Sequence, residues 1–236
     1  MNKYAIAITV RDILLSSIIL LTPITSHASL LFINEIHYDN NGADKDEFVE
    51  LAGSAGLHLL DWSLKFYNGS TGLVYKTFTI DDVTLDDSHN GFGFLAINVS
   101  GIQNGSTKGA GDGIAIIDNN DNIMQFLSYE GTFEAKDGPA LGILSKNISV
   151  SQSNSPEGKS MQLTSSGNNY DDFTWKLEDN TYGRINMGQN FLGEQDPSAV
   201  QVSEPYLQFP FILLIITLLF SRKRLNNGVI RRRAIL

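Results

Sequence analysis

Along most of the middle of the chain, apolar and polar residues alternate at the two-residue period of a pleated strand, in runs too short for helices. Leu31–Tyr38, Glu47–Ala52, Trp62–Tyr67 and Val74–Ile80 are rich in β-branched and aromatic residues. Gly91–Asn98, Gly113–Asp118, Ile123–Tyr129, Ser160–Thr164 and Phe173–Leu177 continue the pattern. Turn formers separate them, among them Asn40-Asn41-Gly42, Asn68-Gly69-Ser70 and Asn119-Asn120-Asp121-Asn122. About nine strands at this spacing predict an all-β fold, an antiparallel sandwich or barrel. Ile116–Phe126 reads as a hairpin closed by the Asp/Asn cluster.

Alternation also assigns faces. Uninterrupted, it puts Phe32, Asn34 and Ile36 on one side of the first strand and Ile33, Glu35 and His37 on the other. Trp62, Leu64 and Phe66 point inward, Ser63 and Lys65 outward. Glu50 falls on the Phe48 side and Glu47 on the Val49 side, so one carboxylate becomes partly covered and needs hydrogen-bonding partners.

The two ends break the pattern. Met1–Ala28 has the form of a secretory signal: Lys3 and Arg11, the apolar run Ile13–Leu21, and small residues before a cleavage point at Ala28. A second apolar run, Tyr206–Phe220, is followed at once by Arg222-Lys223-Arg224 and later by Arg231-Arg232-Arg233. The run is short beside the ~20 residues of a full helical crossing, a gap that flanking residues and a thin bilayer can close. The basic residues behind it predict that this end stays in the cytoplasm. The expected organisation is a signal peptide (1–28), a β-sandwich (29–193), a linker (194–205), a C-terminal transmembrane helix (206–221) and a basic tail (222–236).

Charge sharpens this division. Of the 236 residues, Ser29–Ser203 hold 24 Asp+Glu against 9 Lys+Arg, whereas Glu204–Leu236 hold 6 basic residues and 1 acidic one. An acidic body argues against nucleic acid, whose affinity comes from phosphate neutralisation by Lys and Arg. The absence of Cys excludes a disulfide framework, a thiolate metal site and a Cys nucleophile.

Val202-Ser203-Glu204-Pro205, the apolar run and Arg222-Lys223-Arg224 together resemble the PEP-CTERM sorting signal of Gram-negative bacteria. That resemblance implies recognition by an exosortase-type transpeptidase. Ser203 stands where the signal usually has Pro, and a plain transmembrane tail explains the same residues. The body resembles the bacterial lamin-tail domain in an ordered series of blocks over about Leu31–Leu192. Asn34-Glu35-Ile36-His37-Tyr38, Glu47-Phe48-Val49-Glu50-Leu51-Ala52-Gly53 and Trp62-Ser63-Leu64 come first. Asp112-Gly113-Ile114-Ala115, Gln125–Gly131, Asp137–Ala140, Ser160–Leu163 and Asp172–Trp175 follow. The resemblance implies an immunoglobulin-like antiparallel β-sandwich, a non-catalytic module that often accompanies secreted hydrolases, and it carries no catalytic residues.

The densest oxygen donors are Asp39, Asn41, Asp44, Asp46, Glu47 and Glu50, grouped about a Gly-bearing loop, with Asp118, Asn120 and Asn122 in a second. Ca²⁺ takes six to eight oxygens, so both loops are Ca²⁺ candidates. Neither matches an EF-hand: the Gly of the first falls at the wrong step, and Ile123 occupies the Gly place of the second. Turns and solvated strand edges account for the same residues. His37 with Glu35 and Asp39 is the nominal acid/base or metal cluster, although a surface His near a turn is the commoner arrangement. His58 and His89 are expected in solvated polar loops. No HExxH or GxSxG pattern is present.

These features favour an exported, non-enzymatic interaction module, anchored in the inner membrane and facing the periplasm or displayed at the cell surface after processing. Its partner would be an envelope or matrix protein or polysaccharide. An accessory or metal-dependent extracellular hydrolase and a Ca²⁺-stabilised matrix protein are the alternatives.

Overall fold

β-Branched and aromatic segments form the strands where the alternation places them. The computed structural model describes residues 30–105, 110–153 and 155–193. The expected signal peptide, linker, hydrophobic helix and basic tail lie outside the described residues. Among those described, no helix is long and apolar enough to cross a membrane.

The strands are β1 (Leu31–His37), β2 (Phe48–Ser54), β3 (Ser63–Asn68), β4 (Leu73–Thr79), β5 (Phe92–Asn98) and β6 (Asp112–Ile117). After them come β7 (Ile123–Tyr129), β8 (Lys146–Asn147), β9 (Lys159–Gly167), β10 (Thr174–Asp179) and β11 (Gln189–Phe191). They build two sheets, one of six strands in the order β10-β9-β1-β2-β5 with β11 beside β9, the other of five in the order β4-β3-β6-β7-β8. The expected antiparallel pairing holds except at two short contacts, β11 with β9 and β7 with β8, which are parallel. Both involve strands reached through long connections rather than hairpins, which is what parallel pairing requires.

One core lies between the sheets. Ile33, Ile36, Val49 and Leu51 of the first meet Leu64, Phe66, Ile114, Ile116 and Leu127 of the second, all buried. Trp62, Leu64 and Phe66 point inward as alternation predicts. Close approach is built in where Gly69 passes Gly111: a Cβ there would sit 1.5 Å from the Gly111 carbonyl oxygen, so only glycine fits.

The first strand departs from strict alternation. Its register against β2 runs Ile33 to Leu51 and then Glu35 to Glu50, leaving Asn34 as an extra residue in a bulge. A bulge resets the two-residue period. Ile33 and Ile36 therefore share the core side, while Phe32, Glu35 and His37 share the opposite side with Ala52, Glu50 and Phe48.

Each outer face is partly covered by a crossing segment. Residues 131–145 cross the second sheet, seating Phe133, Ala135 and Ala140 on Tyr67, Ala115, Ile117 and Phe126. Residues 180–192 cross the first. There Phe191 stacks on Phe92 at 4.3 Å between ring centres and meets Phe173 at 5.2 Å, Phe94 at 5.7 Å and Phe32 at 6.4 Å.

Candidate functional site

The strap 180–192 closes over the most unusual chemistry in the molecule. Glu35 and Glu50 are cross-strand neighbours, and both are wholly buried. Ionised carboxylates in such a place need several donors each. Glu35 Oε1 accepts from the Ser160 hydroxyl and, at 2.9 Å, from the Thr181 amide. Glu50 Oε1 accepts from Asn34 Nδ2 at 3.0 Å and its Oε2 from the Gly183 amide at 2.6 Å, with the Arg184 amide as a further donor. Each glutamate thus grips the backbone on one side of Tyr182.

Amide side chains complete the network. Asn186 donates from Nδ2 to the carbonyls of Asn34 and Leu163, both at 3.0 Å, so the bulge carbonyl finds its partner in the strap. Gln189 Nε2 donates to Asn34 Oδ1 at 2.7 Å. Gln162 donates to the Ser160 hydroxyl and the Asp179 carbonyl, and accepts from the Met187 amide. Every bond in this group ties the strap to the sheet or orients a residue that does.

Proton placement follows from donor counting. Thr181 Oγ1 lies 2.8 Å from Glu35 Oε2 and 2.9 Å from Asn186 Oδ1. Both hydrogens of the Asn186 amide are already used, so its Oδ1 is an acceptor. A hydroxyl has one hydrogen and can donate to only one of two oxygens. The arrangement closes when Glu35 carries a proton, donates it to Thr181 Oγ1, and Thr181 donates onward to Asn186. Burial pushes both carboxyls up, against the opposing pull of their hydrogen bonds. The closeness of the two acids adds to the effect, because both cannot readily ionise, and the last proton of the pair is held to about 8. The two carboxyls titrate as a unit that holds a proton at neutral pH.

The histidine next along the strand is buried rather than on the surface, contrary to expectation. His37 Nε2 donates to the Lys45 carbonyl at 3.0 Å, and Nδ1 accepts from the Gln152 side-chain amide. With both ring nitrogens engaged, His37 pins the β1–β2 loop and presents no nitrogen to a metal or substrate. His58 is exposed as expected and pairs with Asp82 at 2.7 Å. His89 departs from the solvated reading, since its Nε2 is buried and its ring lies edge-on to Phe191.

The proposed Ca²⁺ ligands of the first loop face different ways. Asp39 is buried, whereas Asn41, Asp44 and Asp46 are exposed. Asp44 Oδ1 accepts from the Asn40 amide at 3.3 Å, and the Asn41 amide donates to the Ser155 carbonyl. Glu47 turns to the amides of Gly101 and Ile102, and Glu50 turns under the strap. In the second loop Asp118, Asn120 and Asn122 do come together. Asp118 Oδ1 accepts both the Asn120 and Asn122 amides at 2.8 Å, and Oδ2 accepts Asn122 Nδ2. These bonds hold the Asp118 carboxyl below the usual range, the Asn122 side chain first among them. Among the described residues, no group of three or more His, Asp or Glu is arranged to hold a metal ion.

One further carboxyl is perturbed. Asp112, buried at the start of β6, is pushed up to about 6 by burial and accepts from the Gly69 amide at 2.7 Å. It holds the β3–β4 turn against the neighbouring strand. The strap network itself escapes sequence reasoning. Its advance signals are the covering of one of Glu47 and Glu50, and Phe191 in a polar, Gly-spaced stretch.

Compared with family models, with curated proteins and with solved structures, the chain matches none.

Proposed function

We propose that this protein is a non-catalytic, exported interaction module: an immunoglobulin-like β-sandwich of lamin-tail type, held at the bacterial envelope by its hydrophobic C-terminal run. One observation carries the non-catalytic part. The carboxylate pair with the strongest reason to act as acid and base spends its oxygens on the chain's own donors beneath a strap. A catalytic acid or base has to reach a proton on the substrate. His37, the nearest imidazole, is committed in the same way. These groups hold chain segments in place.

The first two blocks that resemble lamin-tail domains support the reading, because their residues have structural tasks here. Asn34 makes the bulge, Glu35 and Glu50 hold the strap, Ile36 fills the core, and Tyr38 stacks on Tyr129 at 4.3 Å. Export and anchoring rest on the sequence of the two ends. An exosortase-type enzyme is the expected processor of the C-terminal signal, and an envelope or matrix component the expected partner.

The test uses the full-length chain, solubilised in detergent and screened for esterase, phosphatase and nuclease turnover with Mg²⁺, Mn²⁺ and Ca²⁺. No turnover above background is expected, together with retention of a defined component from envelope extracts. Turnover abolished by His37→Ala or Glu50→Gln in a folded variant would overturn the reading.

A further inference from the structure

The strap does more than close the sheet: it puts Tyr182 on display. Thr181 on one side of it is held by Glu35, and Gly183 and Arg184 on the other side by Glu50. Between these anchors Tyr182 remains 42% exposed. Its ring meets buried Phe48 edge-on, at 5.0 Å and 83°, and Phe48 is backed in turn by His37 at 5.8 Å. The outcome is an aromatic surface fixed before any ligand arrives, which reduces the ordering a ligand has to impose.

A depression of about 280 Å³ adjoins it, lined by Asp46, Phe48, Asn98, Asn180 and Tyr182. Asn98 is the cross-strand partner of Phe48, so the two share a face and lie side by side. Among the described residues, the side chains of Asp46, Asn98 and Asn180 make no hydrogen bond or ion pair. All three are exposed, unlike the buried Glu35, Glu50, Asn186 and Gln189 beneath the strap, whose polar atoms are engaged with the chain itself. Two amides and a carboxylate offer donors and acceptors together, the combination that hydroxyl groups, themselves both, can satisfy. Beside them lies an aromatic ring, whose apolar face suits the C–H face of a sugar.

We propose that this depression is a saccharide subsite, in which Tyr182 packs against a sugar ring and Asp46, Asn98 and Asn180 bond its hydroxyls. The lining argues against two other ligand classes. A divalent cation would find one carboxylate and two amides, short of the six to eight oxygens Ca²⁺ takes. A phosphate or other anion would meet Asp46 and no Lys or Arg. The proposal rests on the interaction-module reading and names the chemistry of its partner: a neutral polysaccharide.

The experiment titrates the full-length chain, in detergent, with cello-, laminari- and chito-oligosaccharides, using saturation-transfer NMR and calorimetry. At least one of these neutral probes is expected to bind at ~10 mM or below. Tyr182→Ala should weaken that binding about tenfold or more, and Tyr182→Phe should leave it nearly intact. Asn98→Ala combined with Asn180→Ala should also weaken it, with circular dichroism unchanged in every variant. Failure of all three probes, or undiminished binding by Tyr182→Ala, overturns the proposal. Binding of Ca²⁺ alone that is lost in Asp46→Asn overturns it too. Absent saccharide binding alongside retention of an envelope protein overturns the subsite and leaves the interaction-module reading standing.

Discussion

Both sheets carry a length of chain across the face turned away from the core, and the two crossings are held by opposite chemistry. Over the second sheet, residues 131–145 rest on Phe133, which meets Phe126 edge-on at 5.4 Å and Tyr67 at 6.3 Å. At its margins the Lys136 amide donates to the Gly72 carbonyl, the Ala140 amide to the Tyr67 hydroxyl and the Val74 amide to the Asp137 carboxylate. Among the described residues, no buried carboxylate lies beneath it. Over the first sheet, residues 180–192 bury Phe191 at one end and partly bury Ile185 midway. The other end is fastened by two buried carboxylates and a chain of amides. An apolar crossing is insensitive to pH. A crossing fastened by acids depends on their protons, and in return it fixes its backbone residue by residue around an exposed aromatic.

Removing the apolar anchor should have the largest effect. Phe191→Ala is expected to destabilise the fold by about 3–5 kcal/mol in urea unfolding, the usual range for a buried Phe emptied to Ala. Phe133→Ala should fall at or below the lower end, since Phe133 meets only the rings of Tyr67 and Phe126, whereas Phe191 lies among those of Phe32, His89, Phe92, Phe94 and Phe173. Were Phe133→Ala the more damaging, the first sheet's strap would rely on its polar end more than this structure implies.

Next in size is the effect of pH. An unfolded glutamate ionises near 4.5, whereas the folded Glu35–Glu50 pair holds its last proton to about 8. Between those values the folded state binds more protons than the unfolded one, so stability should fall as pH rises and level off above about 8. The slope should be roughly 1 kcal/mol per pH unit, near the limit for a single group. Asp112 adds a smaller decline in the same direction between 3.8 and about 6. Phe133→Ala should keep the wild-type slope, because it touches only the apolar crossing.

The two glutamates should then separate. Glu50→Gln sets an NH₂ group against backbone or Asn34 N–H donors and is expected to destabilise by about 1–3 kcal/mol at pH 6. Glu35→Gln can keep a donor aimed at Thr181 Oγ1, as the protonated acid does, and should cost less than about 1 kcal/mol there. It should also flatten most of the decline above pH 6. Equal effects from both substitutions would mean that the proton is not held on Glu35.

The smallest change concerns an acid that faces water. Asp118→Ala should speed hydrogen exchange at the Asn120 and Asn122 amides, which its carboxylate now holds, while the melting temperature moves least of the series. Asp118 and Glu50 are both acids in hydrogen-bonded networks. Their pKa values move in opposite directions because only one of them has lost its water.

How far this was legible in advance depends on whether the determining contact is local. Alternation located β3, β6 and β7 to within about a residue at each end, and the Asp/Asn hairpin between the last two, since period and turn chemistry are written in adjacent residues. It also indicated that one of Glu47 and Glu50 is covered, without deciding between them. The faces of β1 were not legible, because Asn34 bulges to meet Asn186, a residue 152 positions away. His37 looked like a surface residue because its partner Gln152 lies 115 positions away. β8 and β11 are two and three residues long, too short for any period to register. The pocket beside Tyr182 combines a loop, two strands and the strap, so no single stretch of sequence announces it.

The account depends on the buried acid pair being a protonated fastening rather than a working site. The most direct measurement is the ¹³C NMR titration of the Glu35 and Glu50 side-chain carboxyls between pH 3 and pH 10. The account predicts that one carboxyl remains protonated at pH 6.5 and that the pair loses its last proton only near pH 8. If both carboxyls titrate together near the ordinary 4.5, the pair is open to water and the proposed fastening does not exist.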